Sequence, residues 1–176
     1  IRTHTGDGPM VIQMLLDGHC DLGISAHPVT DERLKSEVIY TNKVVAVACP
    51  AVFHRLSEVG DMARALSKEP LLAYNLELSL IDNWLQKNHI AAPDSLPAVV
   101  GQDLRALRSL LCKGFGWTVL PEYLCSEQLR RGELLEIPAP TGNTEISYNL
   151  IWLPSSLRQP RVAHAREVLI SQIHTR

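Results

Sequence analysis

The chain has 176 residues, 45% of them hydrophobic and 20% charged, with a formal net charge of −2. That length accommodates one large domain or two small lobes. The near-neutral balance excludes a phosphate-binding surface, which needs clustered Lys and Arg. The only tight basic run is Arg130-Arg131, so any contact with DNA would have to come from outside these residues.

Cys20, Cys49, Cys112 and Cys125 are widely spaced and form no CxxC pair, which speaks against a zinc site and a secreted disulfide framework alike. No apolar run approaches the ~20 residues that span a membrane, and Ile1-Arg2-Thr3-His4-Thr5 is not a secretory signal. A reducing cytoplasm is therefore expected. The alternating start reads as a strand entered midway and, with no initiator Met, as the start of a fragment.

Along the chain, helices and strands alternate. Gly6-Asp7-Gly8-Pro9 is a turn with Asp7 as helix cap, and residues 10–17 form a short helix closed by Gly18. Met10, Val11, Ile12, Met14, Leu15 and Leu16 leave that helix apolar nearly all round. It needs cover on more than one side, from ordinary core or from a subunit interface. Residues 22–25 are a strand. Residues 38–40 and 43–49 are two β-rich runs, the second suited to burial on both faces. Residues 60–67 are a modest helix.

The middle alternates again: strand 71–74, helix 78–87, short strand 99–100, and a helix capped by Gln102 or Asp103 that ends at Lys113-Gly114. Strand 117–120 follows, then a helix from Pro121 to Arg130 stopped by Gly132, and strand 134–137. Residues 138–143 are a Pro/Gly/Thr connection. An alternating strand at 146–152 and an amphipathic helix marked by Val162, Ala165, Leu169 and Ile173 complete the chain. The pattern is that of α/β proteins, whose ligands sit beyond the carboxyl ends of the strands.

Several motifs reduce to structure. Lys113-Gly114-Phe115-Gly116-Trp117 has neither the spacing nor the lysine placement of a phosphate loop and reads as a helix end and tight turn. Asp7 and Asp17 are explained as a cap and a last-turn residue. The seven histidines show no HExxH spacing, and there is no G-x-S-x-G. No catalytic residue, metal or cofactor is expected. The turns at Val100-Gly101-Gln102-Asp103 and Tyr74-Asn75 each leave a strand and approach a helix. They serve as caps or present free N–H groups to an anionic or amide-bearing ligand.

Two stretches in this order carry a resemblance: Leu15-Leu16-Asp17-Gly18-His19-Cys20-Asp21-Leu22-Gly23-Ile24 and Gly114-Phe115-Gly116-Trp117-Thr118-Val119-Leu120-Pro121. Val44-Val45-Ala46-Val47-Ala48-Cys49-Pro50 and Asp103-Leu104-Arg105-Ala106-Leu107 add to it. The chain resembles the effector-binding domain of LysR-type transcriptional regulators over nearly its whole length. The resemblance implies two Rossmann-like α/β lobes with mixed, mostly parallel sheets, in the manner of periplasmic binding proteins. Lobe I would comprise residues 1–70 and 145–176 and lobe II residues 71–144, with crossovers near Tyr74 and near Asn143-Thr144.

By the same resemblance an effector would meet Ser25, Ala26, Asn75, Leu76, Gln102, Asp103 and Phe115, and its binding would shift a conformational equilibrium. The effector is expected to be a small molecule, such as an amino acid or organic acid. Homodimers or tetramers, and DNA contact only through an N-terminal winged helix-turn-helix, are implied as well. Family members carry a strand and a long helix before the position matching Ile1, so exposed apolar surface and a free sheet edge are expected in lobe I. A solute-binding protein or an enzyme on the same two-lobed fold is the alternative.

Overall fold

The computed structural model describes residues 1–174, with side chains through Gln172. Ile173, expected on the apolar face of the last helix, lies outside the described side chains. The chain divides into two compact units, residues 1–41 with 146–176 and residues 42–145.

In the first unit, α1 (Gly8–Leu16) is capped by Asp7, whose carboxylate accepts the Met10 N–H at 2.9 Å. Strand β1 (Leu22–Ser25) pairs antiparallel with β7 (Thr144–Trp152). The first half of β2 (Lys35–Ala48) lies on the other side of β7, and α7 (Pro160–His174) closes the unit. Leu15, Leu34 and Ile151 form one buried cluster, with Val11, Ile12 and Leu16 of α1 packed against it. Ile39, Leu150 and Trp152 form another, covered by Leu169 and Ile170 of α7. Residues 1–6 form no strand and are exposed; their alternating pattern has no sheet neighbour among the described residues.

The second unit opens with the second half of β2, where residues 44–48 are each fully buried. Helices α2 (Pro50–Ser57) and α3 (Met62–Lys68) lead to β3 (Leu72–Ala73). Then come α4 (Ser79–Lys87), β4 (Val99–Val100), α5 (Leu104–Cys112), β5 (Trp117–Pro121), α6 (Glu122–Arg131) and β6 (Leu135–Glu136). β3 and β4 are parallel, with Ala73 opposite Val100, and a parallel bridge joins Leu71 to Trp117, the first residue of β5. β2 is antiparallel to both β5 and β6.

The two compact units divide in sequence at 41/42, and residues 44–48 pair with β5 and β6 within the second. The sheets are mixed, with parallel and antiparallel pairs. Single-helix crossovers through α4, α5 and α6 keep direction, whereas the two-helix connection through α2 and α3 lets β2 run the other way. Two local expectations change: the runs 38–40 and 43–48 belong to one continuous 14-residue strand, with Cys49 as the cap that follows it, and α2 forms where no helix is expected. Its signals were Pro50 at the first helical position and Val52 and Leu56 four residues apart, both buried.

Candidate functional site

The carboxyl ends of β3 and β4 lie side by side, so the residues following Ala73 and Val100 leave the sheet as neighbours. Tyr74 and Asn75 follow β3; Gln102 and Asp103 follow β4. Asn75 is half-buried, while Gln102 and Asp103 are exposed. The Asp103 carboxylate accepts the Arg105 N–H at 2.9 Å and caps α5, one of the two caps the sequence offers.

Helix α4 begins differently. Its N-cap is Leu78, held at φ 52° and ψ 18° with no side-chain cap. A left-handed, non-glycine residue is uncommon and costs on the order of 1–3 kcal/mol, so the surroundings must enforce it. The first N–H groups of α4 therefore have no side-chain acceptor and carry the positive end of the helix dipole. The first residues of α4 border a small cavity of about 30 Å³, lined by Tyr74, Asn75, Ser79, Leu104, Thr118 and neighbouring apolar groups. No charged side chain lines it. Its size suits one or two waters or one small polar group rather than a whole ligand. The Thr118 hydroxyl is buried and donates to the Leu72 carbonyl, which fixes it at the wall.

Of the expected residues, Asn75 lines this cavity, and Gln102 and Asp103 stand beside it through Leu104. Leu76 is 72% exposed and does not line it. Phe115 is exposed and precedes β5, at the amino end of the parallel strands. It is thus separated from Asp103 by the length of α5, nine residues or roughly 13 Å. Ser25 and Ala26 belong to the first unit, where the buried Ser25 hydroxyl accepts the His27 N–H at 3.0 Å. Ser79 and Thr118 were not anticipated. The parallel β3–β4 register that brings neighbouring strand ends together is a tertiary fact without a local signal.

The first unit holds a larger groove, about 950 Å³, along the outer edge of β1. Leu22, Gly23 and Ile24 line its floor and Val11, Val168 and Leu169 its walls. Among the described residues β1 pairs only with β7. Among the described residues no group of three His, Cys, Asp or Glu side chains is placed to hold a metal. No described helix is long and apolar enough to cross a membrane.

The fold recurs among solved structures. The C-terminal domains of a LysR family protein from Agrobacterium tumefaciens match 97% of this chain, and 80% of their own, at TM-score 0.79 and 19% identity. The regulatory domain of CrgA, a LysR-type transcriptional regulator from Neisseria meningitidis, matches 91% of this chain and 78% of its own at TM-score 0.72 and 18% identity. In sequence, the chain is 28% identical over 174 residues to the HTH-type transcriptional regulator AbaB of Streptomyces antibioticus. That alignment takes in 96% of this chain but only 57% of the relative. The pattern described as the LysR substrate binding domain matches residues 1–173, and the chain belongs to that family.

Proposed function

We propose that this chain is the sensing portion of a LysR-type transcriptional regulator, which takes up a small anionic effector and passes its presence on to DNA-binding domains. The carrying observation is the amino end of α4, which has a left-handed Leu78 and no side-chain cap and whose first residues line a cavity with Asn75 and Thr118. Such a corner suits a carboxylate, which the amides would receive without a counter-charge. Asp103 and Gln102 beside it suit an amine or hydroxyl on the same ligand. An amino acid or hydroxy acid meets both requirements. Leu76 and Phe115 carry less weight, for the reasons of placement given above.

The protein works without catalysis in this reading, as a cytoplasmic homodimer or tetramer, and reaches DNA through an N-terminal winged helix-turn-helix. The regulator relative supports this over a solute-binding protein or an enzyme of the same fold. The apolar, nearly uniform α1, with Met10 53% exposed, is the surface best suited to self-association.

The test is thermal unfolding in the presence of amino acids, organic acids and aromatic acids. A ligand at 100 times its dissociation constant adds roughly 2.7 kcal/mol, and each kcal/mol moves the midpoint by about 2–4 °C in a domain of this size. A shift abolished by Asn75→Ala supports the reading. A ligand whose effect survives Asn75→Ala moves the site elsewhere, and the absence of any shift counts against a small carboxylate effector.

A further inference from the structure

Helix α4 is gripped at its far end. The Trp84 indole N–H donates to the Asn143 side-chain oxygen at 3.0 Å, and the Lys87 ammonium donates to the Asn143 backbone carbonyl. Asn88, 5% exposed, donates to the carbonyls of Trp84 and Gly142 at 2.8 and 3.2 Å. It also accepts the Thr141 N–H at 3.0 Å. Residues 141–143 are the last turn before β7, the strand by which the chain leaves the second unit.

Asn143 has a second partner. Its amide N–H₂ donates to Glu136 of β6 at 2.7 Å, and the other Glu136 oxygen receives the Lys43 ammonium at 3.4 Å. Lys43 reaches Glu122, the first residue of α6, at the same distance. Lys43 is the second residue of the unit, at the point where the chain enters it along β2. Partial burial pulls its ammonium down, but Glu136 and Glu122 outweigh this and hold it above its ordinary range.

We infer that Asn143 is a positioning residue: through Trp84 on one side and Glu136–Lys43 on the other, it locks helix α4 to both segments by which the chain enters and leaves the second unit. The amide of Asn143 is the one group in the relay that must accept and donate at once, from Trp84 and to Glu136. Aspartate at this position would face a carboxylate towards Glu136, and neither leucine nor alanine would bind either side. A nine-residue helix is stiff over its length, so a change at its amino end is carried to Trp84 rather than absorbed within α4. The inference rests on the proposed effector corner for its purpose, but the relay itself is a property of the ligand-free protein.

The experiment is therefore done without ligand, on the three Trp indole N–H signals in nitrogen-15 NMR spectra. Trp84 reports the relay; Trp117, bonded to the Leu66 carbonyl at 3.1 Å, and Trp152 serve as references. Lys43→Met and Glu136→Gln change side chains linked to Trp84 through Asn143. Both are expected to shift the Trp84 signal and leave Trp117 in place, and Asn143→Asp should speed hydrogen exchange at the Trp84 indole by about tenfold. Asn143→Gln, which keeps both functions on a longer arm, should recover part of that protection. A Trp84 signal unmoved by Lys43→Met and Glu136→Gln overturns the inference, as does movement of all three indoles together, which would report general loosening. Failure to find any effector would sink the proposed function and leave this result intact.

Discussion

Gly116 lies against Pro70 so closely that a methyl group on it would sit 1.9 Å from the Pro70 carbonyl oxygen. The same carbonyl accepts the Trp117 N–H at 3.0 Å. The contact sets the Leu71–Trp117 bridge and hence the start of β5. Gly116 also sits at φ +127°, a backbone region that side chains rarely adopt.

Gly116→Ala thus meets two penalties, backbone strain and an immovable main-chain oxygen. It is expected to cost about 3 kcal/mol or more. Gly114→Ala, also at positive φ but meeting only the Cys49 sulfur at 3.6 Å, should cost about 1 kcal/mol. Urea unfolding midpoints of the two variants check this, and equal losses would refute the role assigned to Pro70.

Asp103 combines a structural duty with a proposed binding one, and two substitutions separate them. Asp103→Ala removes the cap on α5 and should cost about 1 kcal/mol, lowering the thermal midpoint by about 2–4 °C. Asp103→Asn keeps an acceptor for the Arg105 N–H and should hold stability within a few tenths of a kcal/mol. Weaker effector response in the asparagine variant at unchanged stability would assign the carboxylate to the ligand.

Cys125 is fully buried, and its thiol is pushed up to about 11 from 9.0, first by burial and then by the carboxylates of Glu122 and Glu136. A thiol whose pKa is higher folded than unfolded stabilises the protein fully below the unfolded value. That contribution is lost as pH rises from about 9 through 11. Stability should fall across this window and fall less in Cys125→Ala, as urea midpoints measured against pH will show. At pH 8 the folded protein should not be alkylated at Cys125, whereas the exposed Cys112 should be; mass spectrometry reads both.

Arg166 stacks its guanidinium 4.3 Å over the Trp152 ring and holds Glu37 at 2.5 Å. Lysine keeps the charge but not the planar stack. Arg166→Lys is therefore expected to cost about 1 kcal/mol, and Glu37→Gln less, since the pair is partly exposed. A thermal midpoint for Arg166→Lys equal to that of the parent would show that the stack contributes nothing.

Much of this molecule is written locally. The Asp7 cap, the Gly18 and Gly132 helix ends and the buried run at residues 44–48 follow from spacing and side-chain chemistry alone, and the α5 cap is narrowed to Gln102 or Asp103, because each depends on neighbours within a turn or on a continuous apolar pattern. The paired motifs at 15–24 and 114–121 were enough to indicate the family, and Asn75 could be chosen because it follows a strand.

What lies between distant residues needed the tertiary structure. The single length of β2, and with it the boundary at 41/42, depends on pairing with β5 and β6 more than 65 residues further on. The left-handed Leu78, the placement of Thr118 beside Asn75, the exclusion of Phe115 from that cavity and the Trp84–Asn143–Glu136–Lys43 relay have the same origin. Each is decided by which strands and helices come to lie side by side. Periodicity along the chain says which face of an element is apolar, but not what that face will meet.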